Sequence, residues 1–211
     1  MFDNLQKIFI IAGVHGQEPQ SSYVLEKLCV EFDNYEHELF TVLKKASDRK
    51  EVLAIPRFNT YGLENNTRGN KNAVDLNRNL PATNWSKDYS NSEYHPGLEP
   101  GSELETQAFI KLLKEFKPDL IVSIHTNHFV TVEHSPQVNF DGELDSQGYS
   151  WAQDLSESID LELTCDIGYS TPGSLGSYAK DLKIPCITLE FDDKLSNEES
   201  FNRYSDALKK L

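Results

Sequence analysis

Four short apolar runs, KIFIIAGV (7–14), VLAIPRF (52–58), LIVSI (120–124) and CITLEF (186–191), constrain this chain more than any other feature. Each has the length and β-branched content of a strand buried on both faces. Between them the period changes. Residues 19–32 begin with Pro19 at a first helical turn, and Ser102-x-x-Glu105 forms a capping-box pattern before LETQAFIKLLKEF, a helical run that Pro118 follows. Residues 148–160 and 196–211 also carry a helical pattern. Strands alternating with helices predict an α/β sheet covered on both faces, with functional groups on the loops past the strand ends. A chain of 211 residues holds one domain with a substantial core, so residues 1–211 are read as a single unit.

The stretch 59–101 is rich in Asn, Gly and Pro and lacks a sustained period, which predicts a long loop region. Its rings Trp85, Tyr89 and Tyr94 argue against disorder. The 34 acidic and 20 basic residues give a formal charge of -14, which disfavours nucleic acid and anionic membranes as partners because phosphate binding needs clustered Lys and Arg. Three cysteines with no paired spacing, Cys29, Cys165 and Cys186, read as reduced buried thiols rather than a disulfide framework. With no basic n-region or cleavage site near the first residues, a cytoplasmic location is expected, although a domain of a longer exported protein would look the same.

The first apolar run empties into GVHGQE, which places His15 and Glu18 three residues apart at a strand end. Alone, the pair has an ordinary explanation: a capping or core histidine, and an acid favoured by the dipole of the next helix. A second apolar run, DLIVSI, ends in His125, preferred over His128 because the latter lies further into the loop. Two imidazoles and one carboxylate leave a four-coordinate zinc one open position, where a bound water becomes acidic enough to yield hydroxide near neutral pH. A base must collect the proton. Glu190 in CITLEF stands where a buried acid is costly unless paired or chemically used, but alternation also permits an outward-facing residue, and the segment alone does not choose. Arg68 in NNTRGN is available to stabilise charge developing on a carbonyl oxygen. Asn77 and Arg78 in VDLNRNLP set an amide beside a forked guanidinium, suited to gripping a carboxylate.

Taken in order, GVHGQE, TRGNKNAVDLNRNLPATNW, PGSELETQAF, SIH, GYSTPGSLGSYAKDL and CITLEF resemble the zinc carboxypeptidase family, peptidase family M14, and within it the bacterial murein tripeptide amidases. The resemblance implies a mixed central sheet flanked by helices and one zinc ion per chain. It implies His15, Glu18 and His125 as zinc ligands, Glu190 as general base and Arg68 as the group that polarises the scissile carbonyl. It further implies Asn77 with Arg78 as the grip on the terminal carboxylate, Asp75 as the acid orienting His15, and Tyr169, with Tyr178 as competitor, as the tyrosine that closes over substrate. Gln17, Ala73 and the FDD after the base depart from the usual pattern, Ala73 standing where a glycine is usual.

The activity implied is hydrolysis of an amide in a short murein peptide with a free carboxylate, L-Ala-γ-D-Glu-meso-Dap, between γ-D-Glu and meso-Dap. Two other readings remain. One is a general metallocarboxypeptidase or a deacylase of the aspartoacylase and succinylglutamate desuccinylase type. The other is a non-catalytic peptide-binding protein of the same fold. The sequence is silent on oligomeric state.

Overall fold

A computed structural model describes residues 6–36, 38–127 and 135–211. The chain runs β1 (Gln6–Ala12), α1 (Pro19–Leu28), β2 (Asp33–Glu36), β3 (Thr41–Ala46), β4 (Lys50–Ile55), α2 (Thr60–Asn65), α3 (Leu104–Phe116) and β5 (Leu120–Asn127). It continues through β6 (Gln137–Asp141), α4 (Gln147–Ile159), β7 (Glu162–Thr164), α5 (Leu175–Asp181), β8 (Cys186–Asp192) and α6 (Asn197–Leu208). The strands form one sheet in the order β2-β3-β4-β1-β5-β8-β6-β7. The four apolar runs are its parallel centre, since β1 pairs in parallel with β4 and β5, and β5 with β8. Antiparallel strands flank them: β3 on β4, β2 on β3, and β6 on β8. The sheet is thus mixed and helix-covered, as the resemblance implies.

Alternation along the central strands builds two cores. Ile8, Ile10, Val122, Ile124, Ile187, Leu189 and Phe191 point to one face, where Val24, Leu155 and Tyr204 of α1, α4 and α6 cover them. Phe9, Ile11, Ile55 and Ile121 point to the other, against Phe109, Leu113 and Phe116 of α3 and Tyr178 of α5. The Phe9 and Phe109 rings meet edge-on with centroids 5.3 Å apart.

The structure corrects several local expectations. The second apolar run leaves the sheet at Ile55, so residues 56–58 lie outside the strand in a bend. Helix α1 stops at Leu28, four residues before the expected end. The Ser102-x-x-Glu105 capping box does not form: the N-cap of α3 is Glu103, with no side-chain cap, because Ser102 Oγ donates to Glu103 Oε1 at 2.7 Å and accepts from Asn79 Nδ2 at 3.0 Å. A capping box does form at α6, between Ser196 and Glu199. The long stretch 59–101 carries helix α2 and two single 3₁₀ turns, at Leu76–Arg78 and Ser92–Tyr94.

Asparagines order that stretch by taking over backbone hydrogen bonding. Asn79 Nδ2 donates to Pro96 O at 2.8 Å, and its Oδ1 accepts from Glu103 N at 3.2 Å. Asn70 Oδ1 accepts from Val74 N at 3.1 Å while its Nδ2 donates to Glu103 Oε2 at 2.7 Å. Asn59, fully buried, caps α2 and donates to both Val14 O and Arg68 O. It thereby ties the loop after β1 to the loop after α2.

Candidate metal centre

Because β1, β4, β5 and β8 run parallel, their carboxyl ends share one edge, and the groups singled out in the sequence collect there. The turn after β1 needs both of its glycines. Gly13 has φ +64, and a Cβ on Gly16 would lie 1.9 Å from the Gly62 backbone. That close approach turns His15 and Glu18 back over the sheet edge, with Glu18 as the N-cap of α1 and Pro19 in its first turn.

His15, Glu18 and His125 are all buried and offer ligand atoms that lie within 4.8 Å of one another. Glu18 stands between the imidazoles, Oε1 2.6 Å from His15 Nδ1 and Oε2 3.0 Å from His125 Nδ1. The Thr126 amide donates to the same Oε2 at 3.1 Å. On the other side of the His15 ring, Nε2 lies 3.0 Å from Asp75 Oδ1. A carboxylate only accepts, so Nε2 carries the proton, and the Nδ1 of a neutral ring then turns a lone pair toward the Glu18 carboxylate. Lone pairs 2.6 Å apart repel unless a positive charge lies between them. The donor set therefore fits a divalent ion, and two histidine nitrogens with one carboxylate suit zinc.

Burial and the Arg68 charge push the His15 imidazole down, yet Glu18 and Asp75 carry it above its ordinary value. Burial would raise the Glu18 carboxyl, but the two histidines hold it well below the usual range. Asp75 is likewise held low against burial, by Arg68 and His15. Arg68 grips Asp75 Oδ2 through Nε and Nη2, both at 2.9 Å, and leaves Nη1 3.9 Å from Glu18 Oε1.

A cavity of about 450 Å³ opens over this cluster. Glu190 lines it from β8, paired in register with His125 of β5. Burial, and then the charge of Glu18, raise its carboxyl above the ordinary value even though His125 pulls it down. Arg68, Asn77 and Arg78 form a further wall. Asn77 Oδ1 accepts from Leu175 N at 2.8 Å, which leaves its NH2 group as the end that can donate to a ligand. Tyr94 lies under both guanidinium groups, 4.9 Å from Arg68 and 5.3 Å from Arg78. Tyr169 is half-exposed at the cavity, its phenol pushed up to about 12 by burial and the Glu190 charge. Tyr178 packs in the core instead. His128 lies outside the described residues.

Sequence reasoning missed Tyr94 as a cavity residue and missed the row Gln137, Asn139 and Asp141 that β6 adds to the wall. No sequence signal marked β6 as a strand of this site, because its pairing with β8 depends on a long connection through the fold. Asn59 had one available signal, its place just after the second apolar run and one residue before a helix, where an N-cap belongs.

Comparison with known proteins gives a consistent picture. The profile of the zinc carboxypeptidase family matches residues 3–195. Murein peptide amidase A of Escherichia coli strain K12 is 32% identical over 213 residues, covering 96% of this chain and 77% of the relative. Murein peptide amidase A of Vibrio campbellii is 29% identical, covering 94% and 74%. Among solved structures, the murein-tripeptide amidase from Escherichia coli O157 superposes with a TM-score of 0.75 at 30% identity, covering 97% of this chain and 80% of that one. Carboxypeptidase A from Helicoverpa armigera shares the fold, with a TM-score of 0.69 at 14% identity, covering 97% and 60%.

Proposed function

The chain belongs to the zinc carboxypeptidase family, a family of zinc metallopeptidases, and on that premise we propose that it hydrolyses L-Ala-γ-D-Glu-meso-Dap between γ-D-Glu and meso-Dap. The observation that carries this reading is the register of β5 and β8, which sets Glu190 beside His125 at the edge where His15 and Glu18 converge, with Arg68, Asn77 and Arg78 lining the same cavity. His15, Glu18 and His125 hold the zinc. The ion supplies a Lewis acid and an activated water.

Glu190 accepts a proton from the attacking water and returns it to the leaving amine; the raised affinity for protons that burial gives it suits both transfers. Arg68, through the Nη1 not taken by Asp75, faces the carbonyl oxygen as negative charge develops there. Asn77 and Arg78 hold the terminal carboxylate of the departing residue, which fixes the amide over the base. Asp75 keeps His15 in the tautomer that presents Nδ1. Tyr169 covers the bound peptide from the cavity mouth.

The murein peptide is favoured over other C-terminal amides because the relatives matched over nearly the whole chain carry that activity in their names. A cytoplasmic setting accords with the three free cysteines, one of them exposed. Among the described residues no helix is long and apolar enough to cross a membrane. The test is zinc quantification together with turnover of the tripeptide, with and without chelator, beside N-acetylaspartate and N-succinylglutamate. One zinc per chain and chelator-sensitive release of meso-Dap are expected; preference for either acylamino acid would overturn the reading.

A further inference from the structure

Two guanidinium groups line the cavity, and only one of them has a counter-charge. Arg68 is neutralised by Asp75, which it grips through Nε and Nη2. Arg78 is only 5% exposed and forms no ion pair among the described residues; its Nη1 donates to the Asn77 carbonyl at 2.8 Å. A buried cation without a partner is costly, and a second cation nearby raises that cost. What lies against both is a ring. The Tyr94 centroid is 4.9 Å from the Arg68 guanidinium carbon and 5.3 Å from that of Arg78. Both distances fall inside the ~6 Å over which the negative face of an aromatic ring attracts a cation. They also keep the two charges within about 10 Å of each other, where like charges in a partly dry site repel.

The ring is tied to the turn that carries Asp75 and Arg78. Tyr94 ends the 3₁₀ turn Ser92–Tyr94, whose N-cap Asn91 accepts from Glu93 N at 3.1 Å. The carbonyl of the next residue, His95, accepts from Asp75 N at 2.8 Å, and Pro96 O accepts from Asn79 Nδ2 at 2.8 Å. Gly97 allows this approach: its φ is +91, and a Cβ there would lie 2.4 Å from Asn79 Nδ2. Residues 95–97 are thus stitched to both ends of the segment 75–79, and the ring at 94 keeps a fixed relation to the acid and to the carboxylate grip.

We propose that Tyr94 is a positioning residue for both arginines: its ring holds Arg68 and Arg78 side by side and so sets the distance between the two points at which the substrate is gripped. This rests on the preceding subsection for the tasks of the two arginines. A ring suits the place better than an acid. A carboxylate at this position would occupy the donors of Arg78 and compete with the carboxylate of the substrate, whereas a ring attracts the cation without using its N–H groups.

The experiment measures kcat and KM for L-Ala-γ-D-Glu-meso-Dap and for hippuryl-lysine, a second amide with a terminal carboxylate. The proteins compared are the wild type, Tyr94→Phe, Tyr94→Leu, and a series carrying phenylalanine with one, two and three ring fluorines at position 94. Fluorine drains the negative face of the ring while leaving its size nearly unchanged. Tyr94→Phe is expected to stay within ~2-fold of the wild type in kcat/KM, the fluorine series to fall stepwise to ~10-fold, and Tyr94→Leu to fall at least as far. Across the fluorine series the loss is expected in both parameters, a higher KM through Arg78 and a lower kcat through Arg68, with zinc content and melting temperature held. That series stands by itself if Tyr94→Leu does not fold. A flat response to fluorine would overturn the proposal, because a ring that only fills space does not sense its own charge distribution. A loss in Tyr94→Phe as large as in Tyr94→Leu would overturn it too, by moving the role to the hydroxyl. A stepwise fall on hippuryl-lysine with the tripeptide left uncut by the wild type would refute the murein reading and leave the proposal standing. Failure of the wild type to cut either substrate would refute both.

Discussion

Consecutive residues of β8 face opposite environments. Ile187, Leu189 and Phe191 are fully buried against α1, α4 and α6, whereas Thr188 and Glu190 line a polar cavity on the other face. β5 divides likewise: Val122 and Ile124 pack into the core, and Ser123 and His125 turn to the cavity. On that second face the sheet is sealed by α3 over β1 and β4 and by α5 over the start of β5 and β8, and left open where Ser123, His125, Thr188 and Glu190 line the cavity. The difference teaches that one strand supplies stability and chemistry through alternate side chains, so the two can be damaged separately.

Breaking the open side should give the largest effect. Glu190→Gln is expected to lower kcat by ~10²–10⁴-fold, the range for a lost general base, with zinc content and melting temperature held. One residue back, Leu189→Ala should do the converse. It is expected to lose ~2–5 kcal/mol of stability to denaturant while the folded fraction keeps its kcat/KM. If either variant fails in both assays, the separation is wrong. Asp75→Asn, whose one amide oxygen is claimed by the two Arg68 donors so that its NH2 group turns toward His15 Nε2 and disfavours the tautomer that presents Nδ1, should weaken zinc ~10–100-fold in a chelator competition.

The polar loops beside the open side sharpen the comparison through pH. Burial would raise the Glu103 carboxyl, but hydrogen bonds from Asn70, Ser102 and Asn72 hold it below its ordinary value. Its contribution is therefore full above the unfolded pKa, near 4.5, and is lost as pH falls through the lower folded value. Denaturation curves of Glu103→Gln should lose less stability over that acid interval than the wild type does, and an unchanged acid slope would contradict the assignment. The smallest effect is expected at Ala73, held at φ +57 where its Cβ is crowded. Ala73→Gly should gain ~0.5–1 kcal/mol, the relief of left-handed strain outweighing the added chain entropy.

The central strands and the metal triad were legible because their signals are local: β-branched runs of strand length, and ligand-type residues at the points where those runs end. The turn glycines also left a trace, since Ala73 stands out as a substitution at a position with positive φ. The edge strands were not legible. β2 and β7 are short and polar, reading DNYE and ELT, and owe their conformation to neighbouring strands rather than to propensity. β6 was hidden because its pairing with β8 is made across a long connection through the fold. The expected capping box at Ser102 failed because Asn79, more than twenty residues earlier, competes for the hydroxyl. The face that Glu190 takes could not be read from its own segment, since alternation allows either; it lies on the cavity side, in register with His125.

The central claim is that His15, Glu18 and His125 bind a single zinc ion within reach of Glu190, and an anomalous-difference map from zinc-loaded crystals measured at the zinc edge tests it most directly. The account predicts one strong peak bonded to Nδ1 of both histidines and to the Glu18 carboxylate, and its disappearance in His125→Ala. A peak held by the nearby Cys165 sulfur, or one that persists undiminished without His125, would contradict it.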